Sequence, residues 1–321
     1  MHRWMKKIIS FFFLVFILNL ASYSQQDPQY TNYMHYKLGF NPGYAGAENA
    51  ISGLLLNRYQ WTGTEGAPKT LVFSMDAAIK PFGSEGGIGL NVIRDKLAYF
   101  ENTTVNLNYA YKTSVSFGEL GIGLSMGLFN MGINPGEWRS TDDVLNETSG
   151  GEGDDLIPQG DVSQMAVDMG LGLYLSSGNY FLGASVTHLN QASVKSLEVE
   201  NYYLARHYYL MGGYNIKLAD PLFELQPTAL FKTDRAGWQL DVTGNIVYDE
   251  KFWGGISYRV NDAVALLLGV ELINGLKVGY SFDLVTSAIG YNSIGSHEIY
   301  VTYSIDLERN RNQKYKSVRF L

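Results

Sequence analysis

From about residue 51 to residue 307 the chain alternates apolar and polar side chains with a period of two. Leu276, Val278, Tyr280, Phe282 and Leu284 fall on one face of an extended segment, and Lys277, Gly279, Ser281 and Asp283 fall on the other. The same alternation sets Val105, Leu107, Tyr109 and Tyr111 against Asn106, Asn108, Ala110 and Lys112. It recurs where Ile299, Val301, Tyr303 and Ile305 alternate with Tyr300, Thr302, Ser304 and Asp306. Successive side chains of a strand point to opposite faces, so this pattern builds a sheet with one oily and one wet face. It predicts fourteen strands, at approximately 51–60, 69–79, 86–96, 100–112, 118–131, 163–177, 179–188, 202–218, 221–233, 237–248, 251–260, 263–273, 275–284 and 297–307. An even count is expected of single-chain bacterial barrels, so the predicted fold is all-β, a transmembrane antiparallel β-barrel over residues 51–307.

The connections sort by parity. The even-numbered ones are short, at 80–85, 113–117, 177–178, 219–220, 249–250 and 274. The long ones, 61–68, 132–162, 189–201 and 285–296, are all odd-numbered. Short periplasmic turns with longer surface loops are a mark of outer-membrane barrels. A soluble sandwich has no reason to sort its loops this way. In strand 118–131, Gly121, Gly123 and Gly127 occupy the face opposite Ile122, Leu124, Met126 and Leu128. Glycine within a strand marks either a bend or the close approach of another backbone; barrel curvature is the reading favoured here over a segment packed in the lumen.

The first residues set the compartment. Arg3, Lys6 and Lys7 precede an apolar run from residue 8 to 20, too short to span a bilayer as a helix. Ala21, Ser22, Tyr23 and Ser24 then supply small residues three and one before Gln25, so residues 1–24 are expected to be a secretory signal peptide. Residues 25–50 are polar and aromatic and are interrupted by Pro28 and Pro42, which makes them too irregular for a spanning strand. They are expected on the periplasmic side or folded into the barrel mouth.

Composition and charge narrow the chemistry. The chain has no cysteine, which excludes disulfides, thiolate catalysis and cysteine-bound metal. Residues 25–307 carry 16 basic and 30 acidic side chains, a net charge of −14 that argues against nucleic acid as a partner. Residues 308–321 form a basic tail of net charge +4, expected in the periplasm. The acidic stretch 132–162 contains a Gly- and Asp-rich run at 150–155, but it lacks the ordered spacing of a calcium loop. Gly123-Leu124-Ser125-Met126-Gly127 matches the serine-hydrolase string, yet lies within an alternating strand, not at the strand-to-helix turn that chemistry needs. His35, His188, His207 and His297 show no metal-ligand spacing. No catalytic, cofactor or metal residues are therefore assigned, and an enzyme is not expected.

The segment after residue 25 carries Gln26-Asp27-Pro28-Gln29-Tyr30, Tyr33-Met34 and Asn41-Pro42-Gly43-Tyr44-Ala45-Gly46. Arg58, Gln60-Trp61 and Gly66-Ala67-Pro68-Lys69-Thr70 follow, with weaker echoes in Asn108-Tyr109-Ala110-Tyr111, His207-Tyr208-Tyr209, Lys251-Phe252-Trp253 and Gly295-Ser296-His297-Glu298. In these motifs the chain resembles the PorP/SprF family of type IX secretion system outer-membrane proteins. The resemblance implies a cell outer membrane location and a role in protein secretion and gliding motility. It implies as partners the type IX translocon, its periplasmic ring proteins and secreted adhesin-like cargo with a C-terminal secretion domain. It gives no catalytic residues. Asn41, Pro42, Tyr44, Arg58 and Trp61 are carried over as partner-contacting or fold-defining candidates. The alternative is a general outer-membrane porin.

Overall fold

The computed structural model describes residues 27–133, 162–194, 202–273 and 275–306. The expected signal peptide 1–24, most of the acidic stretch 132–162 and the basic tail 308–321 lie outside the described residues.

Fourteen strands form the barrel: β1 (Ala50–Thr62), β2 (Lys69–Ile79), β3 (Gly86–Leu97), β4 (Phe100–Val115), β5 (Gly118–Ile133), β6 (Val162–Ser176) and β7 (Tyr180–Thr187), then β8 (His207–Tyr214), β9 (Phe223–Thr233), β10 (Trp238–Tyr248), β11 (Phe252–Arg259), β12 (Ala263–Ile273), β13 (Leu276–Val285) and β14 (Gly295–Asp306). Each pairs antiparallel with its neighbour in sequence. β1 pairs with β14, Ala50 opposite Asp306 and Arg58 opposite Glu298, and this ladder closes the sheet on itself. Closure leaves the sheet without a free edge strand, which the hydrocarbon core demands because no water is there to satisfy one. Among the described residues no helix is long and apolar enough to cross a membrane.

The period-two pattern decides which face is which. Leu107, Leu124, Met126, Leu128, Leu266 and Leu268 are exposed on the outside. Asn91, Asn108, Asp241, Thr243, Asn245, Ser281 and Asp283 are buried toward the lumen. The predicted strands 100–112 and 118–131 run on to Val115 and Ile133, and the predicted strand 202–218 departs most from its expected span. Its regular part is β8; residues 202–203 instead pair with 193–194, and 216–217 form a short extra rung on β9. The break before β8 is fixed by Leu204, whose N–H donates to the Ala192 carbonyl, and by Arg206, whose guanidinium donates to the Leu189 carbonyl.

Residues 27–49 do more than enter the barrel mouth: they run along the lumen as a plug. The plug contains two 3-10 turns, Tyr33–His35 and Pro42–Tyr44, and a single α turn, Lys37–Phe40. Its side chains Tyr30, Tyr33, Met34, Tyr36, Leu38, Phe40 and Tyr44 pack with Leu54, Leu56, Val72, Tyr209, Met211, Leu230, Leu267 and Tyr300 into a hydrophobic core inside the barrel. Apolar inward positions such as Leu54 and Leu56 are thus explained by the plug they face. Asp27 sits beside His188 and His207, at the end of the barrel carrying the odd-numbered connections. Gly46 sits beside Asp76 and Ala78, toward the opposite end. The segment therefore crosses the lumen from one end to the other before β1 begins.

The inward glycines serve this packing. A Cβ at Gly123 would lie 2.2 Å from the Gly43 nitrogen, and one at Gly172, the register partner of Gly123, would lie 2.1 Å from Asn41 Oδ1. The curvature expected from the sequence gives way here to its alternative, a backbone pressed against the strand.

Candidate functional site

The plug is held by polar side chains on the inward face of the strands. Arg58 of β1, only 1% exposed, donates to Asp283 at 2.8 Å and to Glu298 at 3.1 Å. Its Nη1 also donates to the Thr31 hydroxyl at 3.0 Å. That hydroxyl donates in turn to the Asp283 carboxylate at 2.8 Å. Glu298 accepts from the backbone N–H of Thr31 at 3.0 Å and of Asn32 at 2.7 Å. Arg259 completes the cluster with bonds to Asp241 at 3.0 Å and Asp283 at 3.2 Å. Buried charges persist only when paired and hydrogen-bonded; Glu298 takes two backbone N–H groups of the plug and Asp283 takes the Thr31 hydroxyl. The cluster therefore does two jobs with the same atoms: it pairs its buried charges and it docks residues 31–32.

Further along, Asn41 is fully buried. Its Nδ2 donates to the Leu173 carbonyl at 2.8 Å, and its Oδ1 accepts from the Gly43 N–H at 2.8 Å, capping the turn that Pro42 begins. Ser185 donates to the Phe40 carbonyl at 2.6 Å, and Asn91 to the Leu38 carbonyl at 3.2 Å. Asp76 accepts from the Gly46 N–H at 2.8 Å, and Lys112 donates to the Gly46 carbonyl. An irregular backbone at membrane depth is tolerated only where protein satisfies its polar groups, and the inward Asn, Ser, Asp and Lys side chains supply those partners. Tyr44 packs edge-on against Tyr174 at 5.2 Å and donates to Glu48 at 2.8 Å.

Four of the five candidate residues thus meet at the plug–barrel contact. Asn41, Pro42 and Tyr44 belong to the plug, and Arg58 anchors it. Trp61 stands apart, next to the last residue of β1. It takes a left-handed φ of 49°, and its N–H donates to Ser296 Oγ at 3.0 Å beside a register shift between β1 and β14. The remaining anchors, Asp283, Glu298, Asp241 and Arg259, are not among the five candidates. Charged residues at inward positions of alternating strands were the available signal.

Two cavities flank the plug. The larger, about 440 Å³, is lined by His35, Lys37, Glu48, Asp76 and Lys277. Burial, reinforced by Lys277 and Lys37, pushes the His35 imidazole down to about 3. Burial also lowers Lys37, whose ammonium lies 4.5 Å from the Phe181 ring centre. The smaller cavity, about 120 Å³, lies at the other end and is lined by Asp27, Tyr36, Asp168, His188, His207 and Tyr209. Burial alone would raise the Asp27 carboxyl, but His207 and His188 outweigh it and hold the group well below the usual carboxylate range. Burial likewise opposes the charge on His188, and Asp27 and Asp168 overcome it, lifting the imidazole to about 10. Sequence spacing does not relate His188 to His207; the β7–β8 register, with His207 opposite Thr187, brings them together.

A closed antiparallel barrel of fourteen strands, apolar outside and filled by its own N-terminal segment, defines an outer-membrane β-barrel protein. The chain matches the family described as type IX secretion system membrane protein PorP/SprF over residues 22–303, and it belongs to that family. It is therefore an outer-membrane component of type IX secretion. No curated protein matches it. Among solved structures it is similar to the outer membrane protein Omp33 of Acinetobacter baumannii, at 8% identity over 80% of this chain and 99% of that one, with a TM-score of 0.43. It is also similar to the toluene transporter TodX of Pseudomonas putida, at 10% identity over 89% of this chain and 96% of that one, with a TM-score of 0.44.

Proposed function

We propose that this barrel acts as a docking component for adhesin-like type IX cargo, supporting its export or surface anchoring, and does not itself form the conducting pore. The observation that supports this reading is the plug: residues 27–49 occupy the lumen with a buried hydrophobic core and a buried ionic anchor. A barrel of this strand number is also narrower than the 16–18-stranded porins that leave an aqueous channel. Cargo would be engaged at the barrel ends, with Trp61 and the odd-numbered connections facing the cell exterior and the even-numbered turns facing the periplasmic ring and translocon. The cargo would carry a C-terminal secretion domain. Deleting the gene and profiling surface proteins tests this. Loss of a large adhesin while other cargo still reaches the surface is the expected result; normal surface amounts of all cargo would overturn it.

The porin alternative draws on the 440 Å³ polar cavity at one end of the lumen. Steady conductance of the purified wild-type barrel in planar bilayers would favour it.

A further inference from the structure

His188 follows β7 and His207 opens β8, and their rings lie 5.8 Å apart. Asp27, at the start of the plug, reaches between them. Its Oδ1 is 2.9 Å from His188 Nε2, its Oδ2 is 3.7 Å from His207 Nδ1, and it accepts a bond from the Tyr209 hydroxyl at 2.6 Å. One ligand-capable atom from each of Asp27, His188 and His207 lies within 4.8 Å of the others. We propose that these three side chains bind a divalent transition-metal ion of the zinc type, and that the ion clasps the plug to the barrel wall.

Three features of the geometry support the assignment. The first is the donor set. Two imidazoles and one carboxylate suit a borderline cation such as Zn²⁺, and three protein ligands leave a fourth position for water. The 120 Å³ cavity is lined by all three residues and provides room for that water.

The second is the set of outer partners. His188 Nδ1 lies 3.0 Å from Asp168 Oδ1, and His207 Nδ1 donates to the Ala205 carbonyl at 2.9 Å. A metal-binding imidazole characteristically engages a carboxylate or carbonyl through its other nitrogen, which fixes the tautomer and aims the ring. Here both rings are so engaged, and in both it is Nε2 that is left for a ligand role. The Nε2 of His207 meets the Asp27 N–H only at 3.4 Å, a long contact that a metal bond would replace.

The third is the division of labour between chain segments. His207 opens β8 opposite Thr187, the last residue of β7, and His188 follows Thr187 directly, so the paired strands set where the two rings stand. Asp27 belongs to the plug. A bound ion would therefore tie plug to wall at the end opposite the Gly46–Asp76 contact.

The test uses the mature full-length protein, purified in detergent, stripped with a chelator and checked for folding by heat-modifiable migration. Titration with Zn²⁺ should show one ion per chain, and Co²⁺ should give visible ligand-field bands characteristic of nitrogen and oxygen ligands. Asp168→Asn, which removes only an outer partner, should weaken Zn²⁺ binding by roughly 10- to 100-fold without changing the stoichiometry. The double variant His188→Gln/His207→Gln should lose more than about 100-fold, beyond what an outer partner alone contributes. Absence of stoichiometric binding to the wild-type protein overturns the proposal, and so does unchanged affinity in a folded double variant. Should the double variant fail to fold, Asp27→Asn decides on the plug side: retained wild-type affinity and an unaltered Co²⁺ spectrum overturn the site, and loss of either supports it.

Discussion

Arg58 and Glu298 stand directly opposite each other across the β1–β14 ladder that closes the barrel, and their side chains pair at 3.1 Å with both groups buried. The same carboxylate accepts the N–H groups of Thr31 and Asn32 in the plug. Barrel closure and plug docking therefore share an ion pair. Replacing Arg58 with alanine leaves Glu298 a buried anion without its cation and Asp283 with Arg259 alone, at a cost of about 3–5 kcal/mol. The expected outcome is a marked fall in the temperature at which the barrel unfolds on a heat-modifiability gel. Arg58→Lys should recover only part of it, because a point charge does not serve two carboxylates and a hydroxyl as a planar guanidinium does. Unfolding temperatures equal to wild type in both variants would show that the cluster does not hold the structure.

The barrel was legible in the sequence and the plug was not, for a physical reason. Lipid imposes an outward apolar position at every second residue, so Leu276 to Leu284 or Val105 to Tyr111 announce their faces from composition alone. The plug faces the barrel wall and the lumen cavities, not lipid. Tyr33, Leu38 and Asn41 are all buried there with no common period, the first two in a hydrophobic core and the third through a carbonyl bond. Arg58 drew attention through a family-like motif, but its partners lie 225 and 240 residues away, joined to it only by closure of the sheet. The glycines of β5 were visible and their purpose was not, because the backbone that needs the space lies some eighty residues upstream at Pro42 and Gly43.

The loop sorting predicts which end faces out. The chain has no cysteine, so single cysteines report cleanly. Glu65→Cys and Ala236→Cys sit at exposed positions on the odd-numbered end, and Ser84→Cys and Asp220→Cys at exposed positions on the even-numbered end. A membrane-impermeant maleimide applied to intact cells should label the first pair, and the second only after lysis. The reverse pattern would invert the topology and place Asp27 at the periplasmic end.

Acid should loosen the plug through His35. The ring stacks on Tyr300 at 4.7 Å and lies 5.8 Å from Trp253, and burial with Lys277 and Lys37 nearby brings it down to about 3. A histidine released from the lumen titrates near its ordinary value of 6.5. The docked state then binds fewer protons than the released state, so its stability is present in full above pH 6.5 and declines as pH falls toward 3. Protease protection of the N-terminal segment should weaken over that window. His35→Phe keeps the stack and removes the proton, so the variant should resist acid better than wild type. Identical acid profiles would assign the effect to other groups.

Gly123 offers the most direct control of the lumen. A side chain there collides with backbone, the Gly43 nitrogen and the Pro42 carbonyl carbon at 2.2 and 2.3 Å, and backbone has no rotamer by which to yield. Gly123→Val should therefore displace the plug while leaving the ladder of β5 intact, since a β-branched residue suits a strand. A control exists at Gly244 on the outward face of β10, where an added Cβ meets nothing within 4 Å. Both variants should fold and migrate as barrels. In planar bilayers Gly123→Val should show larger or more frequent conductance steps than wild type, and Gly244→Val should match wild type. The contrast separates loss of the plug from any general effect of valine in the sheet. A folded Gly123→Val barrel with wild-type conductance would mean that residues 27–49 do not govern passage through the lumen, and the argument for a docking component over a porin would lose its main support.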